Sequence, residues 1–191
     1  MHGTKQLASQ ITYWYEIENV VNNTKFEIPS ISGINQIDLN NRQLLDYRAI
    51  IINYITMSNQ CLKEILFYKR YKRCFITYHT VLYDKPFKCC SYIVSYNANN
   101  IVYYGRIIVF YKYKDDYFAF IQKYTAYKKK ISDYLELPDK VVDKLNQTYP
   151  LMELSNDYEI VPVENFRHKC VSVQFEDIFC LSEIRVDFEH D

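Results

Sequence analysis

The stretch that decides the fold runs from Cys89 to Tyr124 and reads CCSYIVSYNANNIVYYGRIIVFYKYKDDYFAFIQKY. It holds three runs of β-branched and aromatic residues, at 90–96, 101–113 and 117–124. Residues of this kind suit a pleated, half-buried surface. Between the runs stand Asn97-Ala98-Asn99-Asn100 and Lys114-Asp115-Asp116, whose compositions favour turns. The pattern predicts a three-stranded antiparallel meander. Gly105 falls inside the middle run, where a glycine marks either a bulge or a close backbone approach.

The composition around this stretch agrees with a β-rich chain. Of 191 residues, 20 are Tyr and 11 Phe, against 3 Gly and 5 Pro. Tyrosine suits half-buried strands, since its ring packs while its hydroxyl stays wet. A hydrophobic share of 49% is enough for a core and argues against wholesale disorder. The length fits one domain, or one domain with an appended helical arm.

Upstream, Gln10 to Val21 reads as a short helix or an aromatic strand, with strand favoured by the residues around Trp14. A loop follows at 28–33. Asp38 to Gln60 has helical spacing, with Leu44, Tyr47, Ile51, Tyr54 and Ile55 on one face and Asp38 or Asn40 able to cap the start. Next come 62–73, and a strand over Cys74 to Tyr83 that ends at Asp84-Lys85-Pro86.

Downstream, Lys128-Lys129-Lys130 forms a solvated turn, and Leu137-Pro138-Asp139 opens a short helix to about Leu145. Val141, Val142 and Leu145 give that helix an apolar side, and Pro150 stops it. Tyr158 to Val163 carries Pro162 and reads as an edge strand. Cys170 to Phe175 alternates strictly, which puts Val171, Val173 and Phe175 on one face. Ile184, Val186 and Phe188 alternate in the same way in a last strand. The expected fold class is α+β and β-dominated, a small barrel or curled antiparallel sheet of about seven strands. An N-terminal arm over 1–61, with its helix at about 38–60, precedes a β-rich domain over 62–191 that carries one short strap helix.

Several chemistries are excluded by glycine alone. With Gly only at 3, 33 and 105, neither a Walker loop, a dinucleotide fingerprint nor a Gly-x-Ser-x-Gly elbow can be written. The Cys stand at 61, 74, 89, 90, 170 and 180 and the His at 2, 79, 168 and 190, with no Cys-x-x-Cys pair. Only His168-Lys169-Cys170 has suggestive spacing, because alternate strand residues share a face. The expectation is six free thiols with no metal and no cofactor; the alternative is a small metal-binding protein or enzyme using these Cys and His residues. Asp115-Asp116 and Glu176-Asp177 lie in turns, where solvated acids are ordinary. The chain is read as no enzyme, with no small-molecule substrate evident.

No leader and no run of 18 apolar residues is present, so an intracellular protein that does not span a membrane is expected. The formal net charge is zero, yet residues 61–130 hold 14 Lys and Arg against 4 acids, and residues 151–191 hold 3 against 10. The contrast marks either a partner surface or neighbouring strands that neutralise each other. The run Phe67-Tyr68-Lys69-Arg70-Tyr71-Lys72-Arg73 mixes cations with rings. In single-stranded binders the cations neutralise phosphates and the rings stack on bases. Tyr68, Lys69, Arg70, Tyr71, Lys72 and Arg73, joined by Lys128, Lys129 and Lys130, are thus a candidate nucleic-acid surface. The competing reading has the tyrosines facing the core and only the charges facing water.

Four segments carry a resemblance: YGRI at Tyr104–Ile107, LPDKVVDKL at 137–145, YEIVPVENFRHKCVSV at Tyr158–Val173 and the closing LSEIRVDFEHD. Over about residues 65–191 the chain resembles the C-terminal β-rich region of invertebrate CACTA (En/Spm)-class transposon-derived proteins. The resemblance implies a barrel akin to bromo-adjacent-homology folds and a nuclear location. It implies no transposase catalysis, since no acidic nuclease core matches here. The functional expectation is a non-catalytic interaction module that binds a protein partner or, weakly and non-specifically, nucleic acid.

Overall fold

The computed structural model describes residues 36–73, 76–83, 92–135 and 138–184. Contacts divide the chain between Ser30 and Ile31, so every described residue belongs to the second unit. The segment around Trp14, the 28–33 loop, the Asp84-Lys85-Pro86 turn and the alternation from Val186 onward lie outside the described residues.

The expected meander is present. Strand β5 (Ile93–Ala98) pairs antiparallel with β6 (Ile101–Tyr113), and β6 pairs with β7 (Asp116–Ala126). Asn99 and Asn100 both take positive φ, 51° and 63°, as a two-residue hairpin turn of the primed type requires. Lys114 does the same at the first position of the next turn, with φ 55°.

Gly105 is a close approach and not a bulge. Its φ is not positive, and the register of β6 against β7 slips further along, between Ile107 and Val109. The slip falls where β6 changes neighbours. Arg106 is the last residue opposite β5, Ile107 donates to the Tyr92 carbonyl at 2.8 Å and accepts from the Val81 amide at 2.9 Å, and Phe110 onward pairs with β2 (Ile65–Tyr68). An extra residue bends one strand so that it can serve both partners.

The remaining strands close the sheet. β1 (Gln36–Ile37) edges β2, β8 (Leu151–Pro162) pairs with β7, and β10 (Ile178–Ile184) lies between the start of β8 and β9 (Phe166–Phe175). β9 returns to β5, which completes an antiparallel ring in the order β5, β6, β7, β8, β10, β9. Two short strands, β3 (Arg70–Arg73) and β4 (Ile76–His79), form a separate hairpin. β8 is longer than the Tyr158–Val163 strand expected, but among the described residues its half from Leu154 pairs only with β7, as an edge would. β10, at 178–184, is a strand the sequence pattern does not mark; of the expected last strand only Ile184 lies among the described residues.

Helix α1 (Leu45–Met57) follows a single 3-10 turn over Arg42–Leu44. Asn41, and neither Asp38 nor Asn40, accepts from the Gln43 amide; Asp38 accepts from Asn40 just before it. The helical face is as spaced. Leu44, Ile51 and Ile55 are fully buried against Ile65, Phe67, Ile108, Tyr111 and Phe120, with Tyr47 and Tyr54 at the margin. The helix is therefore part of the sheet's own packing, fastened by Arg106 donating to the Tyr47 hydroxyl at 3.3 Å. Helix α2 (Asp139–Thr148) has Pro138 at its N-cap, and Asn146 ties it to Ser132 at 2.9 Å. A third apolar cluster draws Ile93, Tyr104, Tyr124, Met152, Cys170 and Leu181 from all six strands of the ring.

Candidate interaction surface

The basic, aromatic run at 67–73 divides by burial. Tyr68 and Tyr71 are 7% and 3% exposed. Tyr71 packs against Tyr78, Phe110 and Tyr117 with ring centroids 5.5 to 6.5 Å apart, under the β3–β4 hairpin. Rings so placed have no free face for a base. Burial also pushes the Tyr68 hydroxyl up from its ordinary 10.0, so it stays neutral. Of the cations, Lys69 donates to Gln43 Oε1 at 2.6 Å and Arg73 reaches the Glu164 carbonyl at 3.4 Å. Arg70 is half-buried and Lys72 exposed.

Lys128, Lys129 and Lys130 are exposed, beyond the far end of β7. Tyr71 touches Tyr117 at the near end, and at about 3.3 Å per residue the strand sets the two basic clusters up to roughly 30 Å apart. They lie toward opposite ends of β7. Lys129 lies over the Tyr134 ring at 5.2 Å, and with Lys130 it lines a cleft of about 320 Å³ between the end of β7, the start of β8 and α2. Tyr127, Asn146, Tyr149 and Met152 complete its walls.

Among the described residues the Cys and His are also dispersed, apart from one pair on β9. Cys74, Cys89, Cys90, His2 and His190 lie outside the described residues. Cys61 is exposed, and His79 stacks on Tyr83 at 4.4 Å. His168 and Cys170 do share a face with Glu183: His168 Nε2 stands 4.0 Å from the Glu183 carboxylate, and Glu183 is opposite Cys170 in the ladder. The Cys170 thiol donates to the His168 carbonyl at 3.9 Å. Burial pushes this thiol up to about 12, the Glu183 charge adds to the rise, and hydrogen bonds with Ser95 offset part of it. Such a thiol is not a nucleophile near neutral pH. Among the described residues no group of three or more His, Cys, Asp and Glu converges as a metal site requires.

One surface stands out that the charge reading passed over. β5 covers only residues 166–170 of β9, and β10 pairs along its other side. From Val171 to Phe175, β9 has a strand on one side only among the described residues. Here the expected alternation holds, but its apolar face is the uncovered one: Val171, Val173 and Phe175 are 51%, 56% and 61% exposed. Their ladder partners Ser182, Cys180 and Ile178 extend the same face, while Cys170 and Leu181 on the opposite face are buried. The signal was present in the sequence, as a strictly alternating apolar row bounded by Arg167-His168-Lys169 and Glu176-Asp177.

Neither a protein-family model, nor a curated protein, nor a solved structure matches this chain. No helix of the described residues is long and apolar enough to cross a membrane.

Proposed function

We propose that the chain is a non-catalytic interaction module that binds a protein partner by adding a strand to the free edge of β9. The observation that carries this reading is the half-covered β9, whose residues 171–175 have no strand on their second side among the described residues and lie beside an exposed apolar row. An extended segment docked there gains main-chain hydrogen bonds from the edge and side-chain contacts from alternate positions. The buried, neutral Cys170 thiol supports a non-catalytic role. Nucleic acid is left with the exposed Lys128–Lys130 turn, a cluster of three cations that supports only weak, non-specific, salt-sensitive retention.

Origin and place in the cell belong to the same proposal. The resemblance over residues 65–191 supports an origin in a CACTA-class tail, with the ring a relative of the bromo-adjacent-homology barrel and the nucleus as the site of action.

The test is hydrogen exchange at amides 171–175, with a panel of extended peptides that alternate Val or Ile with polar residues. Alternating peptides should slow exchange there, and order-scrambled controls should not. If no peptide protects these amides at millimolar concentration, the edge is not a docking site.

A further inference from the structure

We infer that the partner strand is β9 of a second copy of this chain, paired antiparallel across a two-fold axis at Val173. The inference rests on the reading of the β9 edge as a strand-pairing site and adds the identity of the occupant.

Three observations carry it. The first is length. β5 begins opposite Cys170 and the β9–β10 turn begins at Glu176, so among the described residues the free edge spans the five residues Val171 to Phe175. An antiparallel copy centred on Val173 sets Val171 against Phe175, Ser172 against Gln174, and Val173 against itself, which uses the whole edge and nothing more. The second is the apolar row. Odd-numbered residues share one face, so this register brings Val171, Val173 and Phe175 of both copies together as cross-strand neighbours. Each is more than half exposed in the single chain.

The third is charge. The row runs from Arg167 at one end to Glu176-Asp177 at the other, all three exposed. A strand that is basic at its start and acidic at its end is complementary to its own antiparallel copy and not to a parallel one. Because β5 flanks residues 166–170, the acidic turn of each copy arrives at the start of the other's β5, on the side of its basic start. The hairpin is thus self-complementary in length, apolarity and charge, as an isologous interface demands.

The full chain tests this through charge reversal at the axis. Wild type should sediment as a dimer that dissociates on dilution. Val173→Lys and Val173→Glu should each be monomeric, since like charges then face each other across the axis. Unchanged far-UV circular dichroism would show that both still fold, as the exposure of residue 173 leads one to expect. An equimolar mixture of the two variants should dimerise again, because Lys then faces Glu. A dimer that persists in Val173→Lys, or a mixture that stays monomeric, would overturn the inference. Hydrogen exchange separates its failure from that of the broader reading. A wild-type monomer with fast exchange at those amides of 171–175 that point away from β10 leaves the edge open to a different protein and ends only the second-copy assignment. A monomer in which these outward amides are protected has its edge covered within the chain, and both readings fall.

Discussion

Gly105 of β6 lies against the Ile121 side chain of β7, so close that a β-carbon at Gly105 would overlap Ile121 Cγ2 and stand 3.0 Å from the Gln122 carbonyl oxygen. The glycine is required by space, since its φ is not positive. Gly105→Ala should therefore act as overpacking and cost about 1–3 kcal/mol in urea unfolding. Ile121→Ala removes the obstructing branch, so the double variant should lose less stability than the two single changes together. An unchanged unfolding midpoint in Gly105→Ala would refute the crowding.

Burial assigns opposite outcomes to neighbours in the 67–73 run. Tyr71→Ala deletes a ring held among Tyr78, Phe110 and Tyr117 and should cost about 3–5 kcal/mol. Lys72→Ser changes an exposed side chain and should stay within about 0.5 kcal/mol. Retention on single-stranded DNA at low salt should be weak and unaffected by Lys72→Ser. Strong retention that this change abolishes would restore the run as a nucleic-acid surface.

Alkaline pH should unfold the chain through its buried thiol and phenols, since burial also raises Tyr96 and Tyr111. Burial holds the Cys170 thiol up at about 12 against an ordinary 9.0, and the Tyr124 hydroxyl up at about 12 against 10.0. Both are raised in the folded state, so their contribution is complete below pH 9 and is lost as pH rises toward 12. Each ionising group gives a slope of about 1.4 kcal/mol per pH unit inside its window. Urea midpoints from pH 8 to 11 should fall increasingly steeply, and Cys170→Ala should flatten the early part of the fall. A thiol reagent at pH 8 should label Cys61 in the native chain and reach Cys170 only after unfolding.

Gln122 is a buried relay between helix and sheet. Its Oε1 accepts from Arg106 Nε at 2.9 Å and its Nε2 donates to the Ser155 carbonyl at 2.6 Å, while Arg106 also holds Tyr47 of α1. Gln122→Leu leaves a guanidinium donor and a carbonyl without partners and should cost about 2–3 kcal/mol. Tyr47→Phe removes one neutral acceptor at the margin and should cost about 1 kcal/mol. Equal losses from the two variants would show that the relay is not organised around Gln122.

What the sequence by itself determined was local. The Asn99-Asn100 turn, the paired runs on either side of it, and the Leu44–Ile51–Ile55 face of α1 follow from turn chemistry and periodicity acting over a few residues. The site was only half legible, for a reason visible in two rows of side chains. Tyr68 and Tyr71 look like a surface beside their lysines and arginines, yet the β3–β4 hairpin and the strands it meets enclose them. Val171, Val173 and Phe175 look like a core face, yet β5 begins opposite Cys170 and leaves their edge uncovered among the described residues. Alternation tells which side chains share a face; the cover on that face comes from segments distant in sequence. Closure of the ring through β8 and β10, and the separation of the two basic clusters along β7, were decided at that level, because burial is settled by whichever distant strand arrives and not by the strand's own pattern.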